Sequence, residues 1–216
     1  MLLTTMAKPT LICGICGGIG SGKSFIARQF QSMGAAVFDA DRAGHQVLLN
    51  EDVKGQLVER WGKGILNEQT EISRSRVAEL VFADTPQGQT DREFLQSLSH
   101  PLIEQELELF LASAKSNIII VDAALLFETG WQDWCTQIVY VHADEATRLK
   151  RAQLRGWEED EFRSREATQW SLERKRSHSD FVIENNGDTE TTSRELQQVW
   201  QALSMLAALQ EKEVQG

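Results

Sequence analysis

A chain of 216 residues with 41% apolar and 25% charged side chains can bury an ordinary globular core as one domain with embellishments, and no apolar stretch in it reaches bilayer-spanning length. Its formal charge of −10 argues against wholesale binding of a long nucleic acid, which shows as a basic stripe or domain. Three cysteines, an odd number, exclude a simple disulfide framework and fit a cytoplasmic location.

Residues 1–9 carry neither a basic leader nor a long apolar segment and read as a frayed tail. The first predicted element is a strand at 11–16, Leu11-Ile12-Cys13-Gly14-Ile15-Cys16. Cys13 and Cys16 share the spacing of redox and metal motifs. A strand turns positions three apart to opposite faces, however, and no second Cys/His pair follows, so both read as buried free thiols. Next comes Gly17-Gly18-Ile19-Gly20-Ser21-Gly22-Lys23-Ser24, a full match to G-x-x-x-x-G-K-[ST] in the strand-loop-helix setting that the motif needs. The helix after it places Ile26, Phe30 and Met33 at i, i+4 and i+7. Main-chain amides wrap an anion only where the backbone comes close and takes positive φ, which the glycines permit, and the helix start adds the positive end of its dipole. Lys23 supplies a cation for the outer phosphates and Ser24 a hydroxyl for Mg²⁺. The competing reading, a glycine-rich turn without a ligand, leaves the matched lysine and serine unexplained.

Further strands are predicted at 35–38, ending in Asp39-Ala40-Asp41, at 117–121, ending in Asp122, at 136–141, and at 181–183, stopping at Glu184-Asn185-Asn186-Gly187. Four of the five strands precede a helical pattern, the signature of a parallel sheet covered on both faces. Ligands of such sheets lie beyond the carboxyl ends of the strands, a rule that gathers the glycine-rich loop, Asp39, Asp41, Asp122 and Asn185 at one edge. If the extended backbone continues past 38, Asp39 and Asp41 point to the same side. Asp41 is the chosen base for an acceptor hydroxyl, because an aspartate with an ordinary pKa of about 3.9 is ionised at neutral pH. Asp122, after consecutive apolar residues, resembles a Walker B aspartate that holds Mg²⁺ through water, and helix capping is the alternative. Asp41-Arg42-Ala43-Gly44 fits the loose D-x-x-G of a GTPase switch, but the chain contains no Asn-Lys-x-Asp guanine-reading motif.

Between the second and third strands, residues 42–112 read as a mostly helical insertion with an apolar stripe at Ile103, Leu107, Phe110, Leu111 and Ala114. Pro86 and Pro101 are expected to divide it into shorter helices. An excursion this long beside the ligand edge reads as the binding element for a second substrate, with a packing embellishment as the alternative. Residues 148–176 hold nine Lys/Arg against six Asp/Glu, a locally basic segment on an acidic chain, suited to a small polyanion. Arg148, Arg151 and Arg155 fall at i, i+3 and i+7 of a helix that Gly156 ends, and an acidic start at 157–161 opens another. Two charged helices with few apolar anchors describe a flap whose arginines neutralise a moving phosphoryl group and exclude water. A solvated charged face is the alternative. Leu196, Val199, Trp200, Leu203 and Ala207 mark a closing amphipathic helix.

These residues carry a resemblance. The segment from Gly14 to Ser24, then Val37-Phe38-Asp39-Ala40-Asp41, His100-Pro101-Leu102-Ile103, Leu125-Leu126-Phe127-Glu128, Arg148 through Arg155, and Asp180-Phe181-Val182-Ile183-Glu184-Asn185-Asn186-Gly187 together resemble the dephospho-CoA kinase family, in its order and over nearly the whole chain. The resemblance implies transfer of the γ-phosphoryl group of ATP to the ribose 3′-hydroxyl of dephospho-CoA, the last step of coenzyme A synthesis. It implies that Gly20, Ser21, Gly22, Lys23, Ser24 and Phe25 contact the ATP phosphates, with Lys23 on the β/γ oxygens and Ser24 on Mg²⁺. It further implies Asp41 as general base, Arg74 and His100 in acceptor binding, Arg151 and Arg155 in the lid, and Asn185 with Gly187 near the adenine.

The expected architecture is therefore α/β, a P-loop NTPase-type three-layer sandwich with a central parallel sheet. One kinase domain is expected over 10–212, with a helical acceptor-binding insertion at about 42–112 and a helical lid at about 145–179. The expected partner is the small molecule dephospho-CoA, without nucleic acid or membrane. A monomer is favoured, though the oligomeric state stays open. Two other readings compete: another small-molecule P-loop kinase of nucleoside-monophosphate-kinase type, and a non-catalytic nucleotide-binding regulator.

Overall fold

The five segments expected to be strands all form them: β1 (Leu11–Gly17), β2 (Ala36–Asp39), β3 (Ile118–Asp122), β4 (Gln137–His142) and β5 (Phe181–Glu184). They make one five-stranded sheet in the order β2-β3-β1-β4-β5, and every pair is parallel. The computed structural model describes residues 11–83 and 85–215, with side chains to 212, so the expected tail at 1–9 lies outside the described residues.

β1 is central, with Leu11 opposite Ile118 on one side and Cys13 opposite Gln137 on the other. A strand covered on both faces needs apolar residues at consecutive positions, which is why this one shows no alternation. One face packs against α1 (Lys23–Ser32) and α9 (Thr189–Gln215). There Leu11, Cys13 and Ile15 meet Ile26 and Phe30 of α1 and Leu196, Val199, Leu203 and Ala207 of α9, with Met33 and Trp200 partly buried at the margin. On the opposite face Leu126 and Cys135 press on Gly14 so closely that a Cβ there would stand 2.8 Å from Leu126 Cδ2 and 2.9 Å from Cys135 Sγ. Cys16 lies on that face too, its sulfur 3.3 Å from Ser179 Oγ, so Cys13 and Cys16 do point apart. All three cysteines are free thiols. Burial pushes the Cys16 thiol up to about 11 and that of Cys135 up to about 12, which makes both poor nucleophiles at neutral pH.

The chain divides into two units, one of residues up to 39 together with 110 onward, the other Ala40–Leu109. The second is helical: α2 (Ala40–Val47), α3 (Glu51–Trp61), α4 (Arg74–Val81) and most of α5 (Pro86–Ser113). Asn50 caps α3 by accepting from the amides of Asp52 and Val53. Within this unit the buried Asp91 carboxylate accepts from Arg60 Nε at 3.0 Å, Trp61 Nε1 at 2.9 Å and Gln87 Nε2 at 3.1 Å, tying α3 to α5. The expected break at Pro101 does not occur: α5 runs through it, while Pro86 opens the helix as expected. Pro101 and Ser97 are both exposed, so the carbonyl that loses its helical donor lies on the solvent side of the helix, where the ring is tolerated. No described helix is long and apolar enough to cross a membrane.

Candidate functional site

The loop leaving β1 turns at Gly20, φ +76°, and at Gly22, φ +95°, which is also the N-cap of α1. Both positions combine a left-handed backbone with close neighbours. A Cβ on Gly20 would lie 2.5 Å from the Arg148 carbonyl oxygen, and one on Gly22 2.2 Å from Asn185 Nδ2. Only glycine meets both demands. Ser21 is wholly buried, its hydroxyl without a hydrogen-bond partner and facing Gly17, so any contact it makes with a ligand is through the main chain. Lys23 Nζ lies 3.5 and 3.4 Å from the carbonyl oxygens of Gly17 and Gly18, folded back along the loop. Ser24 is exposed at the helix start and Phe25 is 43% exposed. The first-turn amides of α1 point along its axis toward the same space, as in any α-helix.

Two carboxylates stand beside this helix start. Asp39 and Asp122 are register partners at the ends of β2 and β3. Asp122 is nearly buried, and burial raises its carboxyl pKa, while the Ser24 hydroxyl bond and the charges of Lys23 and Arg28 pull it down and Asp39 pushes it up. Asp41 is placed differently from expectation. α2 begins at Ala40, directly after β2, so strand alternation does not extend to Asp41, which occupies the exposed first turn of that helix instead.

The arginines come from α6 (Glu145–Gln153), which Asp144 caps by accepting from the Thr147 amide. Arg151 donates to the carbonyl oxygens of Gly20 and Ser21, both at 3.1 Å, and to that of Asn185 at 2.8 Å. Asn185 closes the bracket, its side-chain amide donating to Ser21 O at 2.7 Å. Gly187, φ +104°, lies in the open loop that leads from β5 to α9. Arg155 is exposed beyond the end of α6. Arg148, expected on the same stripe, is instead 2% exposed.

The segment after α6 forms α7 (Glu159–Ala167) and α8 (Leu172–Ser177), and its anchors are stronger than its composition suggests. Phe162 is fully buried, Trp170 stacks on Phe127 with centroids 5.0 Å apart, and the buried Lys175 ammonium lies 2.9 Å from Glu128 and 2.9 Å from Gln169 Oε1. Glu128 also accepts from the Trp170 amide at 2.7 Å. Lys175→Met strands the Glu128 carboxylate in an apolar setting and is expected to cost about 3–5 kcal/mol of unfolding free energy. Urea denaturation measures it, and pairing it with Glu128→Gln is expected to recover part of the loss. In the sequence Lys175 stands out only as one of the basic residues of 148–176, and Glu128 only as the last residue of Leu125-Leu126-Phe127-Glu128. The partnership links positions far apart in the chain and leaves no periodic signal.

Arg74 and His100 lie in the helical unit, on α4 and α5. Arg74 is the exposed first residue of its helix. His100 is half-buried, and that burial lowers its pKa against the opposing pull of Glu104. The structure thus brings Gly20, Ser21, Gly22, Lys23, Ser24, Arg151 and Asn185 together in the sheet unit, and holds Asp41, Arg74 and His100 on three helices of the other.

The family profile for dephospho-CoA kinase matches residues 11–191. A dephospho-CoA kinase of Geobacillus kaustophilus is 35% identical over 202 residues, covering 90% of this chain and 98% of the relative. The crystal structure of TT1252 from Thermus thermophilus superposes with a TM-score of 0.79 at 29% identity, covering 91% of this chain and 99% of that one. A dephospho-CoA kinase from Campylobacter jejuni shares the fold, with a TM-score of 0.62 at 23% identity over 90% of this chain and 97% of its own. With a complete glycine-rich loop on a parallel sheet and a family match running from the first strand into the last helix, this chain belongs to the dephospho-CoA kinase family.

Proposed function

We propose that this chain phosphorylates dephospho-CoA with ATP, completing coenzyme A, and that the acceptor is the ribose 3′-hydroxyl. The observation that carries the reading is the family match over 11–191 on a chain whose anion loop is complete from Gly17 to Ser24. In this reading the loop amides and Lys23 hold the β- and γ-phosphates, and Phe25 borders them at the start of α1. Arg151 shapes the loop through Gly20 and Ser21, and Arg155 reaches the transferred group from the lid at about 145–179. The backbone from Asn185 to Gly187 meets the adenine. Asp41 takes the acceptor proton as the hydroxyl attacks, and Arg74 and His100 bind the acceptor. In this reading the enzyme works in the cytoplasm on small molecules, without nucleic acid or membrane, with a monomer favoured and the oligomeric state left open.

The donor set fits Mg²⁺. Ser24 offers a hydroxyl, and the buried Asp122, with Asp39 as its register partner, offers a carboxylate whose charge a hard cation would compensate. When bound, the ion screens charge on the β- and γ-phosphates. Asp122→Asn tests this directly. Burial holds the folded carboxyl above its unfolded value of about 3.9, so just above that value the folded chain binds more protons, and the group's contribution to stability falls as pH rises through the window. Asparagine removes that penalty. The variant is expected to melt higher than the parent at neutral pH without ligand, yet to need more Mg²⁺ for half-maximal turnover. Unchanged metal dependence would take Asp122 out of the metal site.

A coupled ADP-release assay tests the function as a whole. Turnover that requires dephospho-CoA and yields coenzyme A is expected. Turnover only with a nucleoside monophosphate would replace the acceptor, and none with either would leave a nucleotide-binding regulator.

A further inference from the structure

Arg148 is the most deeply buried arginine beside the loop, and three separate pieces of chain meet on it. Its Nε donates to the carbonyl oxygen of Ala143 at the end of β4, at 3.1 Å. Its Nη1 reaches the carbonyl oxygen of Ile19 inside the anion loop, at 3.4 Å. Its counter-charge is Glu166 on α7, bonded to Nη1, with Nη2 to Oε2 at 3.5 Å. The ring of Phe162, also from α7, lies 5.4 Å from the guanidinium carbon.

The loop is moulded on this residue. A Cβ on Gly18 would stand 2.8 Å from Arg148 Nη1, and one on Gly20 2.5 Å from the Arg148 carbonyl oxygen. Both the side chain and the main chain of Arg148 therefore fix where the amides between Gly18 and Gly20 can point. Because the guanidinium side chain is 3% exposed and that of Glu166 26%, α7 supplies the charge that makes this burial tolerable from a position still in reach of water. If α7 lifts, Arg148 is left as a buried cation without its carboxylate, and the cheapest relief is to move it away from the loop.

We infer that Arg148 and Glu166 form a positioning pair that couples the seating of α7 to the phosphate-binding shape of the loop. Neither residue touches the reacting atoms. Seated α7 favours the loop that binds nucleotide, and by linkage bound nucleotide favours seated α7. The inference rests on the nucleotide site proposed above but not on the identity of the acceptor.

Glu166→Gln keeps the shape of the side chain and removes its charge. Calorimetry with Mg·ATP is expected to show affinity weakened roughly ten-fold, the scale of one charge-assisted hydrogen bond, and KM for ATP rises while that for the acceptor stays close to the parent value. Amide exchange over Glu159–Ala167 is expected to slow on adding ATP to the parent protein and to lose that response in the variant. A purely structural role would lower the melting temperature and leave both readouts alone. Unchanged ATP affinity together with an unchanged exchange response in folded E166Q would overturn the inference. If E166Q does not yield folded protein, Arg148→Lys, which keeps the charge and gives up the fork of bonds, decides by the same two readouts. Parent protein that binds ATP but does not phosphorylate dephospho-CoA would count against the proposed acceptor and leave this coupling standing.

Discussion

Replacing Asp41 by asparagine is expected to lower kcat by roughly 10² to 10⁴ while ATP binds almost as before. The asparagine has nearly the same shape and can still accept a hydrogen bond from an acceptor hydroxyl, so orientation is largely kept. It cannot take the proton. Asp41 sits in the exposed first turn of α2, where its charge favours the helix dipole, so a stability loss of a few tenths to about 1 kcal/mol is expected. Calorimetry for ATP, steady-state kinetics and a thermal melt on one preparation separate the outcomes. A collapse of ATP affinity with turnover preserved would make Asp41 a metal or structural residue instead of a base.

The local parts of this fold were legible in the sequence, and the parts that depend on distant partners were not. Each strand forms within a residue of its expected bounds because β1 and its neighbours are short apolar runs punctuated by glycines and carboxylates, and the start of α1 is encoded in the loop motif itself. Asp41 misled the strand-period argument because helix α2 follows β2 with no linker, so the side-chain period changes between Asp39 and Asp41. Pro101 misled the helix-break argument because the penalty for proline falls on one carbonyl, which here lies on the solvent side of the helix.

The arginine stripe shows the same limit at the site. Spacing places Arg148, Arg151 and Arg155 along one helix, but says nothing of what each meets. Arg148 turns into the protein toward Glu166, Arg151 grips the loop carbonyls, and only Arg155 stays exposed as a lid arginine would. Their division of labour is set by Ile19, Gly20, Ser21, Glu166 and Asn185, residues that no window around α6 contains.

Lys23→Ala separates an anion cradle from a mere glycine turn. The ammonium folds back on Gly17 and Gly18, and the half-buried side chain begins a helix in which alanine is an excellent former. The variant is therefore expected to fold and to melt close to the parent without nucleotide. With nucleotide the two must part. A ligand that binds only the folded state stabilises it by RT ln(1 + [L]/Kd), about 2.7 kcal/mol at a hundred times Kd, so a variant with weakened affinity loses most of the ATP-dependent rise in melting temperature. Turnover is expected to suffer as well, by roughly 10² to 10³, because in the proposed site the same cation would face the charge that grows as the γ-phosphoryl group moves. Loss in both binding and rate marks a group that meets ground state and transition state alike, unlike Asp41, whose removal should touch the rate alone. A Lys23→Ala protein with parental ATP protection and parental kcat would mean that the phosphates are held somewhere other than this loop.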